Sequence, residues 1–285
     1  MQNRRIFLKN GLAAIGGTLL LPQIPKDVLA AAHARHIQLG FQTFPIRQQM
    51  ASDFKGTLSS LAKLGYQQVE MCSPAGYAGI GYGFLKDTST SELKSMIKDC
   101  GLNCPSSHFT SAEFTPEKID KSIEWAKGME LELMVLSTFW LPKTATLDDY
   151  RAAADKLNTA AEKIRKAGMQ AVFHNHDFEF HEIEGKLIYN ELLGRLDPKL
   201  VKLQFQTQVI TLGYKAQDYF NAHPGRFISS HLSDWTNDKK EVPIGQGVIE
   251  WEAFFKSAQR GGVQYAFVEM SQLNMENSAK FLVNK

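Results

Sequence analysis

The sequence predicts an α/β protein built as a single (β/α)8 TIM barrel, and three observations support this. Eight apolar segments of strand length alternate with amphipathic helical segments after residue 35. About 250 residues contain them, which is the usual size of this fold. A doubly wound sheet, the competing architecture, usually has a glycine-rich phosphate-binding turn, and the glycines at 79–83 lack its spacing. Residues 35–285 are therefore interpreted as one barrel domain.

The elements follow from hydrophobic period and from helix-ending residues. The segment 53–64 is a typical case, because Phe54, Leu58 and Leu61 recur at helical spacing and Gly65 follows where a helix would end. A shorter helix is expected before each of the last three strands. The longer helices are predicted at 53–64, 91–100, 115–128 and 147–167. The predicted strands are 36–46, 66–72, 103–110, 131–139, 169–180, 200–210, 227–235 and 263–271.

The first 34 residues predict an export signal rather than an element of the fold. Arg4 and Arg5 precede an apolar stretch over 11–22, and small residues follow at 30–34. The paired arginines resemble the twin-arginine type of signal, which exports folded proteins. The apolar stretch is shorter than the roughly 20 residues of a spanning helix. We therefore expect a periplasmic or otherwise exported protein, with no stable membrane span after signal cleavage.

The charge distribution gives no electrostatic case for a nucleic-acid partner, and none is expected. The net charge is +2 at pH 7, but the basic excess lies in the first 34 residues, and the remaining residues have a net charge of −1. No long basic run is present, so the electrostatic footprint of a nucleic-acid-binding protein is missing. The sequence does not indicate an oligomeric state.

Polar residues lie where the predicted strands end, which in a barrel is the active-site end. His176, His231 and Glu269 come from three different strands and are expected to converge there. Imidazole and carboxylate donors suit a divalent metal such as Mn²⁺, Zn²⁺ or Co²⁺. Each residue also has a structural interpretation, since a lone histidine or a glutamine ladder can simply satisfy its own hydrogen bonds. Whether His174 or His176 faces inward stays open, because a shift of one residue exchanges the faces.

Several motifs, in order, resemble the sugar phosphate isomerase/epimerase family, the xylose isomerase-like TIM barrels. The resemblance extends over roughly residues 36–285 and includes the sequence HNHDFEF. The matching segments are 65–70, 107–109, 174–180, 224–227, 231–235, 244–251 and 262–269. The resemblance implies a divalent metal that polarises a sugar carbonyl, and glutamates that move a proton between adjacent carbons.

Carried onto this chain, the resemblance gives a set of expected site residues. The expected catalytic residues are Glu269, His176 and His108. The expected metal ligands are His231, Glu269, His176 and Gln206. The residues expected to contact or order the sugar are Glu70, His174, Arg226, Gln204 and Trp140.

The chain departs from the family pattern on the sixth strand. Relatives commonly have Glu-x-Asp where this sequence has Gln204 and Gln206, and a lysine is missing from the segment His231–Asp234. Fewer anionic ligands weaken the binding of a hard cation. The histidines thus favour a divalent metal as cofactor, whereas the two glutamines of the sixth strand count against it.

Three functions are compatible with these residues. The first is an exported carbohydrate isomerase or epimerase acting on a small neutral sugar by metal-assisted proton transfer next to a carbonyl. The second is a lyase or hydrolase that cleaves 3-keto-glycosides with the same base. The third, of another class, is a non-catalytic sugar-binding protein whose active site has decayed.

Overall fold

Eight parallel strands close into a barrel in a computed structural model that describes residues 37–283. The strands are β1 (Gln38–Gln42), β2 (Gln68–Cys72), β3 (Asn103–Phe109), β4 (Leu133–Leu136), β5 (Gln170–His174), β6 (Val201–Gln206), β7 (Phe227–Leu232) and β8 (Tyr265–Val268). Each strand pairs with the next in the chain, and β8 pairs with β1 to close the sheet. This confirms the predicted (β/α)8 barrel. The predicted signal peptide, residues 1–34, lies outside the described residues.

Helices surround the barrel and follow the predicted pattern. They are α1 (Arg47–Ser52), α2 (Phe54–Lys63), α3 (Thr90–Asp99), α4 (Ile119–Gly128), α5 (Leu147–Lys166), α6 (Ile188–Arg195), α7 (Ala216–Ala222), α8 (Trp251–Gly261) and α9 (Gln272–Val283). The longest helix, α5, begins with a reciprocal cap in which Thr146 and Asp149 satisfy each other's backbone N–H groups. Within residues 37–283, no helix is both long enough and apolar enough to cross a bilayer.

The predicted strands are longer than the observed ones at their carboxyl ends. The segment 169–180 was expected to be one strand, but β5 ends at His174, and Phe178–Phe180 forms a short 3-10 helix. Two further residue pairs, Glu182–Ile183 and Lys186–Leu187, form a small antiparallel hairpin outside the barrel. The apolar alternation that predicted the strand thus continues into a loop at the barrel mouth.

An apolar layer fills the lower part of the barrel interior and forms the floor beneath the site. The layer consists of the buried side chains of Leu133, Val135, Val172, Tyr265 and Phe267. Further along the same strands, the inward positions become polar. The polar side chains therefore lie directly above this apolar floor, on the side of the carboxyl ends of the strands.

Candidate active site at the barrel mouth

Three buried histidines from alternate strands form the centre of the polar layer. His108 is the penultimate residue of β3, His174 ends β5 and His231 lies on β7. The ring centroids of His174 and His231 are 4.4 Å apart, and the His108 centroid is 5.0 Å from each of them. One nitrogen of each ring lies within 4.8 Å of the others, so the three side chains can converge on a metal ion.

A fully buried carboxylate, Glu70 of β2, lies against two of these histidines. Its Oε2 accepts a hydrogen bond from His231 Nε2 and is 3.2 Å from His108 Nε2. Its Oε1 accepts from Ser106 Oγ at 2.5 Å and from Gln204 Nε2 at 2.9 Å. Every oxygen of Glu70 is therefore used inside the barrel, and the residue orders the histidines rather than reaching the mouth.

A second carboxylate, Glu269, follows β8 and lies at the open side of the cluster. Its Oε2 accepts from His231 Nδ1 at 2.9 Å and from the side-chain amide of Gln206. About 18% of the Glu269 side chain is exposed, whereas Glu70 and His231 are fully buried. His231 thus bridges the two carboxylates, and only Glu269 of the pair is open to a ligand.

The charges of these groups follow from burial and from each other. Burial alone lowers the pKa of His231, but the adjacent Glu269 and Glu70 carboxylates outweigh it and raise the pKa to about 9. Burial raises the pKa of Glu269, and the nearby His231 outweighs it, so the pKa falls to about 2. Burial also raises the pKa of Glu70, but the adjacent His108 and His231 outweigh it and hold that pKa well below its usual range. Both carboxylates are ionised at neutral pH.

The structure places both His174 and His176 at the mouth, a choice that the sequence left open. The backbone leaves β5 after His174, so strict alternation of faces no longer applies, and the two rings meet edge to face at 4.8 Å. Burial lowers the pKa of both imidazoles, that of His176 to about 4, so both are neutral at neutral pH. Among the described residues, neither Nδ1 atom has a hydrogen-bond partner.

The two glutamines of β6 take part in the hydrogen bonds of the cluster. Gln204 is fully buried; its amide nitrogen donates to Glu70 and to Ser229 Oγ, and its oxygen accepts from His108. It is therefore a packing and orienting residue, and the expected contact with a sugar is not available to it. Gln206 donates a hydrogen bond from its amide nitrogen to Glu269, and its amide oxygen accepts from the Gln208 N–H at 3.4 Å. Ligation of a metal by that oxygen stays a prediction.

The other two expected sugar-binding residues lie at opposite ends of the barrel. Arg226 precedes β7 at the amino end of the barrel, and its guanidinium donates to the carbonyls of Leu193 and Leu196 at the end of α6. The expectation that Arg226 lies near the sugar is therefore wrong, because a residue before a strand is at the end opposite the mouth. Trp140 lies in the loop after β4, on the mouth side, with 66% of its surface exposed.

Sequence reasoning missed three residues that build the site. Ser106 donates to Glu70, and its position two residues before His108 on β3 was the available signal. Glu179 accepts from the backbone N–H of His176 at 2.7 Å and holds that loop. Asp234 accepts from the N–H groups of Gly245 and Gly247 and from the Trp251 indole, which fixes the loop before α8.

Comparison with known proteins agrees with this architecture. Residues 58–284 match the family model of the xylose isomerase-like TIM barrel. A sugar phosphate isomerase/epimerase from Parabacteroides distasonis is similar at 24% identity and TM-score 0.73, covering 88% of this chain and 95% of that one. The IOLI protein with a bound zinc atom has 14% identity and TM-score 0.66, covering 87% and 97%. D-psicose 3-epimerase, in the presence of D-fructose, has 12% identity and TM-score 0.61, covering 87% and 100%. None of the curated proteins compared with the chain matches it.

Proposed function

Because the chain belongs to the xylose isomerase-like TIM barrel family, we propose that it is a carbohydrate isomerase or epimerase. The reaction would move a proton at a carbon next to the carbonyl of a small neutral sugar. The relatives named above include a sugar epimerase and a sugar phosphate isomerase/epimerase, which supports the reaction class. The twin-arginine-like signal supports an exported enzyme and a substrate found outside the cytoplasm, where sugar phosphates are scarce.

The position of Glu269 is the observation on which the proposal depends. It is ionised, fixed by His231 and Gln206, and partly exposed at the mouth, whereas Glu70 is enclosed. A general base must be both deprotonated and within reach of the carbon acid. Glu269 meets both conditions, so we assign it the abstraction of the proton.

The three-histidine cluster fits a divalent metal. His108, His174 and His231 would supply imidazole nitrogens, and His231 would release its proton and one of its two carboxylate hydrogen bonds to do so. The Nδ1 of the buried His174 has no partner among the described residues and is a ligand atom that they leave unused. Imidazole suits Zn²⁺ and Co²⁺, while the loss of acidic ligands on β6 disfavours harder ions. When bound, the metal would polarise the sugar carbonyl and so acidify the neighbouring C–H bond.

The remaining steps use residues of the chain. Removal of the proton by Glu269 leaves an enediolate on the substrate. His176 is neutral and half-buried, and a neutral imidazole can accept a hydroxyl proton and return one to the substrate. Return of a proton to the same carbon from the other face gives an epimer, and it requires an acid other than Glu269, a role that the protonated His176 would take. Return to the adjacent carbon gives an isomer.

The first test follows exchange of the substrate proton with solvent. D-fructose, D-xylose and methyl 3-keto-β-D-glucopyranoside are incubated in D2O with zinc-loaded protein, and deuterium at the carbon next to the carbonyl is measured by NMR. We expect exchange into at least one of them, and a fall of about 10²- to 10⁴-fold in Glu269→Gln, since the variant keeps the shape but removes the base.

Matched variants separate this role from a general loss of structure. Glu252→Gln changes an exposed glutamate on α8, and His223→Ala changes a histidine at the amino side of the barrel; both should exchange at the wild-type rate. Exchange in Glu269→Gln as fast as in the wild type would refute the assignment of the base. Release of free methanol from the keto-glucoside, without conversion of free sugars, would indicate the second candidate, cleavage of keto-glycosides.

A further inference from the structure

Trp140 has an unusual backbone conformation for a large side chain. It follows β4 at the barrel mouth with a φ of 55°, in the left-handed region that bulky residues rarely occupy. Such a conformation stores strain and persists where the surroundings impose it, which is most common at ligand-binding and catalytic sites. The tryptophan is also 66% exposed, the highest value, shared with Leu273, among the exposed large hydrophobic residues described.

The local packing does not explain this exposure. The preceding Phe139 is 9% exposed and stacks on Phe173 of β5, with ring centroids 4.7 Å apart. Phe139 and Leu141 both line an apolar cavity of about 520 Å³ beside α5, and Trp140 does not. Apolar space is therefore available next to a side chain whose burial would be favourable. The left-handed residue turns the indole away from that space and toward solvent.

A second exposed aromatic ring lies at the end of the neighbouring strand. Phe178 follows β5, is 40% exposed, and stacks on His176 with ring centroids 5.1 Å apart and an interplanar angle of 9°. Through His176 it is continuous with the catalytic cluster. Flat aromatic faces bind flat apolar groups, whereas the hydroxyl groups of a sugar need donors and acceptors such as those of His176 and Glu269.

We propose that Trp140 and Phe178 bind an apolar, flat group attached to the sugar, so that the preferred substrate is an oxidised glycoside that has a ketone in the sugar ring and an aromatic aglycone. This inference deepens the proposed function, since it takes from it the position of the sugar at Glu269 and His176. It assigns Trp140 a role in specificity, away from the reacting atoms.

The test compares two uncharged probes that differ only in the aglycone. Phenyl β-D-glucopyranoside and methyl β-D-glucopyranoside are titrated into the full-length protein, and the dissociation constants are measured by NMR. We expect the wild type to bind the phenyl glycoside about three- to tenfold more tightly, as expected for one aromatic stacking contact. Trp140→Gly should lose this preference while its Tm does not fall, because glycine adopts the left-handed conformation without strain.

The stability readout distinguishes a binding role from a structural one. Glu184→Gly is the matched control, since Glu184 is exposed and has a φ of 54° in the hairpin after β5. It relieves the same backbone conformation without removing an aromatic ring, so it should keep the phenyl preference. Equal binding of the two probes by the wild type, failure of both to bind, or a preference that survives in Trp140→Gly would each overturn the proposal. So would a change of oligomeric state in Trp140→Gly, which would make the tryptophan a contact between copies.

Failure of this proposal is distinguishable from failure of the proposed function. The binding test uses probes without a carbonyl and variants that keep Glu269. If deuterium exchange is absent while the phenyl preference depends on Trp140, the reaction class is wrong and the aromatic contact stands. If exchange occurs but the preference is absent, only the assignment of the aglycone fails.

Discussion

Glu179 is a buried acid whose ionisation the folded protein resists. It lies in the loop after β5, where its Oε2 accepts from the His176 N–H and its Oε1 has no partner among the described residues. Burial raises its pKa to about 8, and the hydrogen bonds from the backbone only partly oppose this. The folded protein therefore keeps a proton on Glu179 at neutral pH, whereas the unfolded chain releases it near its ordinary pKa of 4.5.

This difference makes the stability of the fold depend on pH with a defined sign. Between about pH 4.5 and pH 8 the folded state binds more protons at this residue than the unfolded state. Its contribution is therefore complete below pH 4.5 and is lost as the pH rises through 8. The slope is at most about 1.4 kcal/mol per pH unit. Glu179→Gln, which keeps the acceptor for His176, should remove this component, as measured by urea unfolding at pH 5 and pH 7.5.

A second variant separates the contribution of Glu179 to the pH dependence from that of the other titrating groups. Glu182→Gln, on the exposed hairpin of the same loop, should retain the wild-type pH dependence. If Glu179→Gln and the wild type lose stability equally between the two pH values, Glu179 is ionised in the folded protein and the argument from burial is wrong.

Replacing glycine by alanine should have opposite effects on stability at two positions, because one glycine lies in a strand of the packed barrel and the other on an open helix surface. A Cβ on Gly40 of β1 would lie 2.5 Å from the Gln68 carbonyl oxygen and 2.8 Å from Phe267, on the barrel floor. Gly194, near the end of α6, has no atom within 4 Å of such a Cβ. We expect Gly40→Ala to lower the free energy of unfolding by about 1–3 kcal/mol through overpacking. Gly194→Ala should raise it by up to about 1 kcal/mol through helix propensity.

Urea unfolding of the two variants checks this contrast, with circular dichroism confirming that each is folded. The signs are opposite, so one measurement series tests both. A Gly40→Ala protein as stable as the wild type would mean that the first strand can move away from β2 and β8, and that the barrel is looser than its hydrogen bonds indicate.

The elements were predictable from sequence to different degrees, for physical reasons. The hydrophobic residues recur with the spacing of a strand and then with that of a helix, and this alternation fixes the number and order of the elements, because each element must bury one face. The end of β5 was not predictable, since Phe178 and Phe180 continue an apolar pattern after the backbone has left the sheet. Arg226 was misplaced because proximity to a strand in the sequence does not tell which end of the barrel a residue occupies.

The site itself was predictable in outline and not in its hydrogen bonding. The structure brings His108, His231 and Glu269 together at the mouth, as expected for polar residues of the same parity at strand ends. The direction in which Gln206 turns its amide depends on the negative charge of Glu269, a neighbour 63 residues away. Such contacts between distant segments appear only once the barrel has closed.

At the scale of the whole molecule, closure of the barrel creates a buried cluster with unused donor capacity. Alternate strands bring three imidazoles and two carboxylates onto one apolar floor, and buried polar groups with free donor atoms are costly unless a ligand uses them. A cation that binds this cluster requires the closed barrel, because successive ligands are 66 and 57 residues apart in the chain. Metal binding and folding should therefore be coupled.

The coupling predicts a metal-dependent melting temperature. With Zn²⁺ in about hundredfold excess over its dissociation constant, the folded state gains about 2.7 kcal/mol, which corresponds to a rise in Tm of roughly 5–10 °C for a domain of this size. Mg²⁺ should have little effect, since imidazole nitrogens are poor ligands for it. His174→Ala should lose the zinc-induced rise, and His223→Ala should keep it. If zinc raises the Tm of His174→Ala as much as that of the wild type, or if Mg²⁺ raises the Tm as much as Zn²⁺, the cation binds elsewhere on the surface. The three histidines would then serve only to hold one another in place.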